Sequence, residues 1–322
     1  MKKILLIAPD YYGFHNVIFD ALKKYSDHEV SMIISNPTYR YKNIGEKIIN
    51  FFMKLFLKKN LKTINNQKNM LNLLKSQKDI DLVIINRPDI LTQEQLETIT
   101  NNSDRSAAIY WDSFKKIPQE HTLHFFDKSF SFDESDCKNY NLIKNNNFYF
   151  VTEKKAHTEK WDIFFIGTYD HRFSDIVKLF TYLKEHYSHL NFRSQIYSYH
   201  PQHIPENLKE NITLTNEIVP FNEAYKYNLD TKVILDLAHK NQSGLSFRPF
   251  EALGLRKKLI TNNRDIVNYD FYNPNNILVI DTDKIKIPES FLTTPYEDVA
   301  EKVYKKYSIQ SWVNNIVEQS YE

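Results

Sequence analysis

Glycine and cysteine are scarce in this chain, with five glycines and one cysteine in 322 residues. The lone Cys137 excludes an intramolecular disulfide and a cysteine-only zinc cluster, and it fits a reducing compartment. So few glycines leave no Walker loop and no three-glycine fingerprint, which counts against a nicotinamide-dependent oxidoreductase. No hydrolase nucleophile elbow occurs either. A surplus of one charge sign is also missing: Lys+Arg 42 against Asp+Glu 40 does not describe a dedicated nucleic-acid binder. Long apolar runs are absent. Residues 4–9 are too short to span a bilayer, and no small-residue cleavage site comes after them. The expected location is cytoplasmic, with peripheral contact to the inner face of the cell membrane. What the chain does have is 42% apolar and 25% charged residues, a soluble folded composition with room for two domains.

Apolar stretches alternate with helical patterns along the whole length. Lys3–Ala8 reads as a buried strand, followed by a Pro-Asp-Tyr-Tyr-Gly loop and a helix over Phe14–Tyr25. Glu29–Ile34, 81–86, 107–111 and 130–132 repeat the strand pattern, and 133–140 reads as a short helix. The pattern restarts at 161–166, with a helix to about 187. Further strands are expected at Phe192–Tyr197, 212–214, 232–237, 258–261 and 277–280. Such alternation predicts crossover units on mostly parallel sheets. The expected organisation is one α/β domain over 1–155 and a second over 156–295, joined through a polar linker at 152–160. A terminal helix over 296–317, within the segment 296–322, is expected to pack back towards the first domain. Two Rossmann-like domains would then face each other across a cleft, with ligands at the carboxyl ends of the strands.

The most informative segment is 236–254, DLAHKNQSGLSFRPFEALG. A buried strand ends in a polar loop holding Ser243, Gly244 and Leu245. A short helix then starts near Ser246, a good N-cap, with Pro249 in its first turn and Gly254 as a left-handed C-cap. A loop feeding a helix N-terminus presents unpaired N–H groups to a phosphate. Arg248 would add charge-assisted bonds, and Glu251 suits a ribose diol. The same residues also read as a surface helix with ordinary caps and a solvated Glu–Arg pair.

This segment resembles the donor-binding region of GT-B-fold glycosyltransferases, which carries two glutamates with seven residues between them. Glu251-Ala252-Leu253-Gly254 matches the later glutamate and its succeeding Ala and Gly, and 257–266, KKLITNNRDI, is similar to the next strand and turn. Ser243 occupies the earlier glutamate position and departs from that pattern. More broadly the chain resembles bacterial capsule and lipopolysaccharide glycosyltransferases of the spore-coat-protein-like type. The resemblance implies an α/β GT-B fold and transfer of a sugar from a nucleotide sugar to a surface-polysaccharide, lipopolysaccharide or other lipid-linked acceptor. It implies no cofactor beyond the donor substrate, no essential metal and no nucleic-acid partner. It also implies that Ser243, Gly244, Leu245, Arg248 and Glu251 contact the donor. The loop in 165–172, FIGTYDHR, would add Gly167, Thr168 and Arg172, with Arg172 and Arg248 sharing the diphosphate. Two other readings stand beside it: a non-catalytic nucleotide- or glycan-binding protein, and a different nucleotide-sugar-modifying enzyme.

In the first domain, Asp10, Tyr12, Gly13, His15 and Asn16 come after the first strand, at its ligand-facing end. His15 and Asp112 are the candidates for a general base, which needs direct hydrogen-bond reach to the acceptor hydroxyl. Each also reads as an ordinary helix-end residue. Arg87 suits an anionic acceptor group or a pair with Asp89. The eleven histidines are scattered, and His121, His124, His186 and His189 form local pairs without further ligands. The segment 47–62, KIINFFMKLFLKKNLK, places Ile48, Phe51, Phe52, Leu55 and Phe56 on one helical face, with Lys54, Lys58 and Lys62 elsewhere. A basic, aromatic amphipathic helix of this kind lies in an anionic membrane interface or packs on a core.

Overall fold

The computed structural model describes residues 1–152, 159–239 and 244–322. The linker expected at 152–160 lies mostly outside them. The first sheet comprises β1 (Lys3–Ala8), β2 (Glu29–Ile34), β3 (Leu82–Asn86), β4 (Ser106–Tyr110), β5 (Lys128–Ser131) and β6 (Ile143–Lys144). Its order is β2-β1-β3-β4-β5-β6, and every pairing is parallel. The second sheet comprises β7 (Trp161–Thr168), β8 (Phe192–Tyr197), β9 (Ile212–Thr215), β10 (Thr231–Asp236), β11 (Lys258–Thr261) and β12 (Ile277–Val279). Its order is β12-β11-β10-β7-β8-β9, again all parallel.

Successive side chains of a strand point to opposite faces, so a sheet covered on both sides needs an unbroken apolar run. In β1, Ile4 and Leu6 pack with Val17, Ile18, Ala21 and Leu22 of the helix Phe14–Tyr25. Leu5 and Ile7 pack on the other face with Met70, Leu74, Leu96 and Ile99. The second sheet repeats this. Ile163 and Phe165 bury against Ile176, Leu179, Phe180 and Leu183 of the helix Phe173–His186, while Phe164 and Ile166 face the other way.

Two helical expectations are corrected. The terminal segment is two helices, Glu301–Lys306 and Ile309–Tyr321, because the Ser308 side chain accepts from the Ser311 N–H and caps a new start. From the second of these, Ile309, Trp312, Val313, Ile316 and Val317 enter the first-sheet core, while Tyr307 packs with the second. The 47–62 segment also breaks, between the helices Ile44–Leu57 and Leu61–Lys75. Lys58 is left-handed at φ 52°, and Asn60 caps the next helix.

The two sheets meet along an aromatic seam. The Phe14 ring stands edge-on to Trp111, Phe221 and Phe247 at centroid distances of 4.8, 4.7 and 5.2 Å. The Phe221 N–H donates to the Tyr12 carbonyl at 2.7 Å, and Asn147 Nδ2 donates to the Leu245 carbonyl at 2.8 Å. In each sheet the strand order reverses at one point, between β1 and β3 and between β7 and β10. Crevices open at such switch points.

Candidate functional site

Both switch points open onto one cleft of about 380 Å³. From the first sheet it is lined by Tyr11 and Tyr12 after β1, Asn86 at the end of β3 and Arg87 just beyond it, and Trp111 and Asp112 after β4. From the second come Gly167 and Thr168 of β7, Gln195 and Tyr197 of β8, Thr215 and Glu217, then Phe247 and Arg248. Aromatic walls with a few convergent polar groups are the usual make-up of a small-molecule site.

The helix Phe247–Leu255 is fixed from below by a residue that no sequence motif singles out. Asp236, the last residue of β10, is buried. Its Oδ1 accepts from the Ser246 hydroxyl at 3.0 Å and its Oδ2 from the Thr261 hydroxyl at 2.9 Å. Burial pushes its pKa up, and the two hydroxyls offset part of that rise. Ser246 in turn accepts from the Arg248 N–H at 3.3 Å. The helix start is thus tied to β10 and β11, with Arg248 at the cleft wall.

Of the residues expected at the donor, Gly167, Thr168 and Arg248 line the cleft. The Arg248 guanidinium bonds the Glu251 carboxylate and donates to the Ile166 carbonyl at 3.3 Å. Glu251 lies in an adjoining recess with Phe150, Phe247 and Tyr225. Arg172 is elsewhere: it grips Asp170 through Nε and Nη2 and donates to the Leu237 carbonyl at 3.1 Å, so it ties the β7 loop to the end of β10. Burial opposes ionisation of Asp170, but the Arg172 bonds hold its pKa below the ordinary value. Gly244 and Leu245 are also away from the cleft lining. At φ +80° a Cβ on Gly244 would stand 2.8 Å from the Phe132 carbonyl oxygen, so glycine is required where the loop meets the first sheet's connections. Its N–H donates to Asp265 Oδ2 at 3.3 Å, and Leu245 is buried. Ser243 lies outside the described residues. Gly254 is not the left-handed C-cap; Arg256, at φ 53°, takes that place. A Cβ on Gly254 would come 2.5 Å from the Tyr149 ring, and that close approach is what the glycine serves.

On the first-domain side, Asp112 lines the cleft and accepts from Lys116 Nζ at 2.6 Å. His15 does not line it. Positions 15, 18 and 22 share a helical face, so His15 turns inward with Ile18 and Leu22, its side chain 8% exposed and Nδ1 3.4 Å from Asp10 Oδ1. Arg87 does both things expected of it in space, lining the cleft while forming two 2.8 Å bonds to Asp89. Those bonds raise its pKa against the effect of burial. Gln195 and Tyr197 carried an unused signal: β8 alternates buried and half-exposed residues, and both lie on the open side. Beside the cleft, the His171 and His239 rings meet edge-to-face at 4.4 Å. Burial, then the nearby Lys116, His171 and Arg172, holds the His239 imidazole below the ordinary histidine pKa.

No protein-family model and no curated protein sequence matches the chain. Several solved structures resemble it in shape. An alpha-glucosyltransferase in complex with UDP and a 13-mer DNA superposes with a TM-score of 0.58 at 12% identity, over 100% of this chain and 93% of that one. A variant of S. aureus TarM, in complex with fondaparinux, alpha-GlcNAc-glycerol and UDP, gives 0.55 at 13% identity. That match covers 80% of this chain and 59% of TarM. The UDP-GlcNAc 2-epimerase of Methanocaldococcus jannaschii aligns over 100% of both chains at 13% identity, with a lower TM-score of 0.47. The chain therefore has the GT-B fold, α/β with two Rossmann-like domains facing across a cleft.

Proposed function

We propose that the protein is a glycosyltransferase that moves a sugar from a nucleotide sugar to a surface-polysaccharide or lipopolysaccharide acceptor. The observation that carries this reading is the pairing within one cleft of Arg248, on a capped helix start, with Asp112 from the opposite sheet. A diphosphate fits the first: the positive end of the helix dipole and the Arg248 guanidinium lie together there. Glu251 would turn from Arg248 to the ribose, and Tyr197 and Glu217 border the space left for the base. In the transfer the acceptor oxygen attacks the sugar's anomeric carbon, and the bond to the diphosphate breaks with its electron pair leaving on phosphate. Asp112, the carboxylate that the first domain contributes to the cleft lining among the described residues, takes the acceptor proton. Two structural neighbours with TM-scores above 0.5 are complexes with UDP, so UDP-sugars are the first donors to test.

The acceptor side of the proposal includes an anionic membrane surface. Ile48, Phe51, Phe52, Leu55 and Phe56 of the helix Ile44–Leu57 are 50–72% exposed, and Asn50 is its buried residue. These apolar side chains are not packed on a core among the described residues. With Lys47, Lys54, Lys58 and Lys59 beside it, the face suits an interface carrying negative headgroups. Among the described residues no helix is long and apolar enough to cross a membrane. A thermal-shift screen of nucleotide sugars, then product analysis with lipid-linked oligosaccharides, tests the function. The expected result is stabilisation by one donor class and a glycosylated product. Stabilisation without any product across the acceptor panel would make this a binding protein, and no stabilisation at all would reject the donor site.

A further inference from the structure

We propose that Asp170, His171 and His239 form a binding site for one divalent transition-metal ion, with zinc the best match. The fold brings these residues together from distant parts of the sequence. Asp170 and His171 come after β7, His239 after β10, and these two strands are neighbours at the second sheet's switch point. One donor atom from each of the three lies within 4.8 Å of the others. The two imidazole rings already stand edge-to-face. His239 Nδ1 is buried and finds no hydrogen-bond partner among the described residues.

Zinc bonds of about 2.0–2.2 Å to imidazole and carboxylate place tetrahedral ligands roughly 3.3 Å apart, so modest side-chain rotations close the set. Asp170 has capacity for this. Its oxygens accept from the Arg172 backbone N–H, Nε and Nη2, and a carboxylate has about four lone-pair positions. Arg172 then acts as the outer-shell partner that orients the ligand. The positive charges nearby are matched, Arg172 by Asp170 and Lys116 by Asp112 at 2.6 Å. Two imidazoles and a carboxylate suit zinc, leaving a fourth position for water or a substrate oxygen.

The test is titration of the tag-free, full-length protein with Zn²⁺ and Co²⁺, without nucleotide. One saturable equivalent is expected, with Co²⁺ developing visible d–d absorption. His171→Ala and His239→Ala should each weaken binding by about tenfold or more, while His186→Ala should not. Absence of a saturable site in the wild type would overturn the proposal. So would unchanged stoichiometry and affinity in a folded double variant. The wild-type Co²⁺ spectrum needs no variant, so a misfolded mutant does not block the test. Metal binding is read without any sugar donor, and its outcome is separate from that of the proposed transferase activity.

Discussion

Asp236 offers a prediction in which stability, pH and ligand affinity must move together. Replacing it with alanine removes the acceptor of two hydroxyl hydrogen bonds, from Ser246 and Thr261, at a site closed to water. Bonds to a charged group contribute roughly 1.5–3 kcal/mol each and neutral ones roughly 0.5–1.5, so Asp236→Ala should cost about 1–6 kcal/mol. Where the loss falls in that range reports the charge state. Burial raises the carboxyl pKa above the ordinary 3.8, so the folded protein holds this proton more tightly than the unfolded chain does. Stability from this group is therefore present below the unfolded pKa. It declines as pH rises from there to the folded pKa and is level beyond. Asp236→Asn keeps an acceptor for Ser246, offers an N–H to Thr261 and does not titrate. Its stability relative to wild type should thus improve with rising pH before reaching a plateau. Denaturant unfolding of the three proteins between about pH 4 and 8 reads this directly. The alanine variant should also lose nucleotide affinity, because Ser246 no longer anchors the turn carrying Arg248, and the asparagine variant should retain it. An alanine variant as stable as wild type would refute the reasoning, and so would an Asn–wild-type gap independent of pH.

Other outcomes rest on the same geometry. Arg248→Ala should weaken binding of the donor's diphosphate, and Glu251→Ala that of its ribose; loss of one bond to a charged group is worth roughly 1.5–3 kcal/mol in calorimetry. Neutralising Lys54, Lys58 and Lys59 together should reduce cosedimentation with anionic liposomes, with a further loss when Phe51 and Phe56 become serine. Gly254→Ala should destabilise the second domain by about 1–3 kcal/mol in thermal or urea unfolding, because the new methyl meets the Tyr149 ring. Asp112→Ala should retain donor affinity while single-turnover transfer falls by about 10²–10⁴-fold, a loss that a modest packing defect would not produce.

The fold was legible because its signals are local. Unbroken apolar runs such as Lys3–Ala8 and 161–166, each followed by an amphipathic helix, announce strands buried on both faces. That gives parallel crossover units, and the restart after residue 160 gives two of them. Less legible were the breaks. Position 58 adopts a left-handed conformation without a glycine, and Ser308 restarts a helix inside a continuous helical pattern. Contacts outside the local pattern accompany both breaks. Asn50 Oδ1 accepts from the Leu61 N–H at 2.7 Å, and Tyr149 bridges to Ser308.

The site was less legible still, because a motif places residues along an element without saying what each one faces. His15 and Asp112 both come after a first-domain strand, yet one turns to the core and the other to the cleft. A helix face decides the first case and a strand end the second. Gly244 looks like a phosphate-loop glycine from its spacing, but the backbone of Phe132, over a hundred residues away, is what forbids a side chain there. Arg248 and Glu251 are ambiguous in the same way. Their spacing puts them one helical turn apart, which serves a salt bridge as well as it serves two contacts to one nucleotide. In the structure they hold each other. On the proposed reading, a ribose must therefore exchange with Arg248 for the Glu251 carboxylate while the diphosphate takes up the freed guanidinium. The two exchanges offset each other in charge, and neither is favourable alone. Nucleoside without phosphate should consequently bind far more weakly than loss of its phosphate contacts alone would account for, and Glu251→Gln, which frees Arg248 in advance, should narrow that difference.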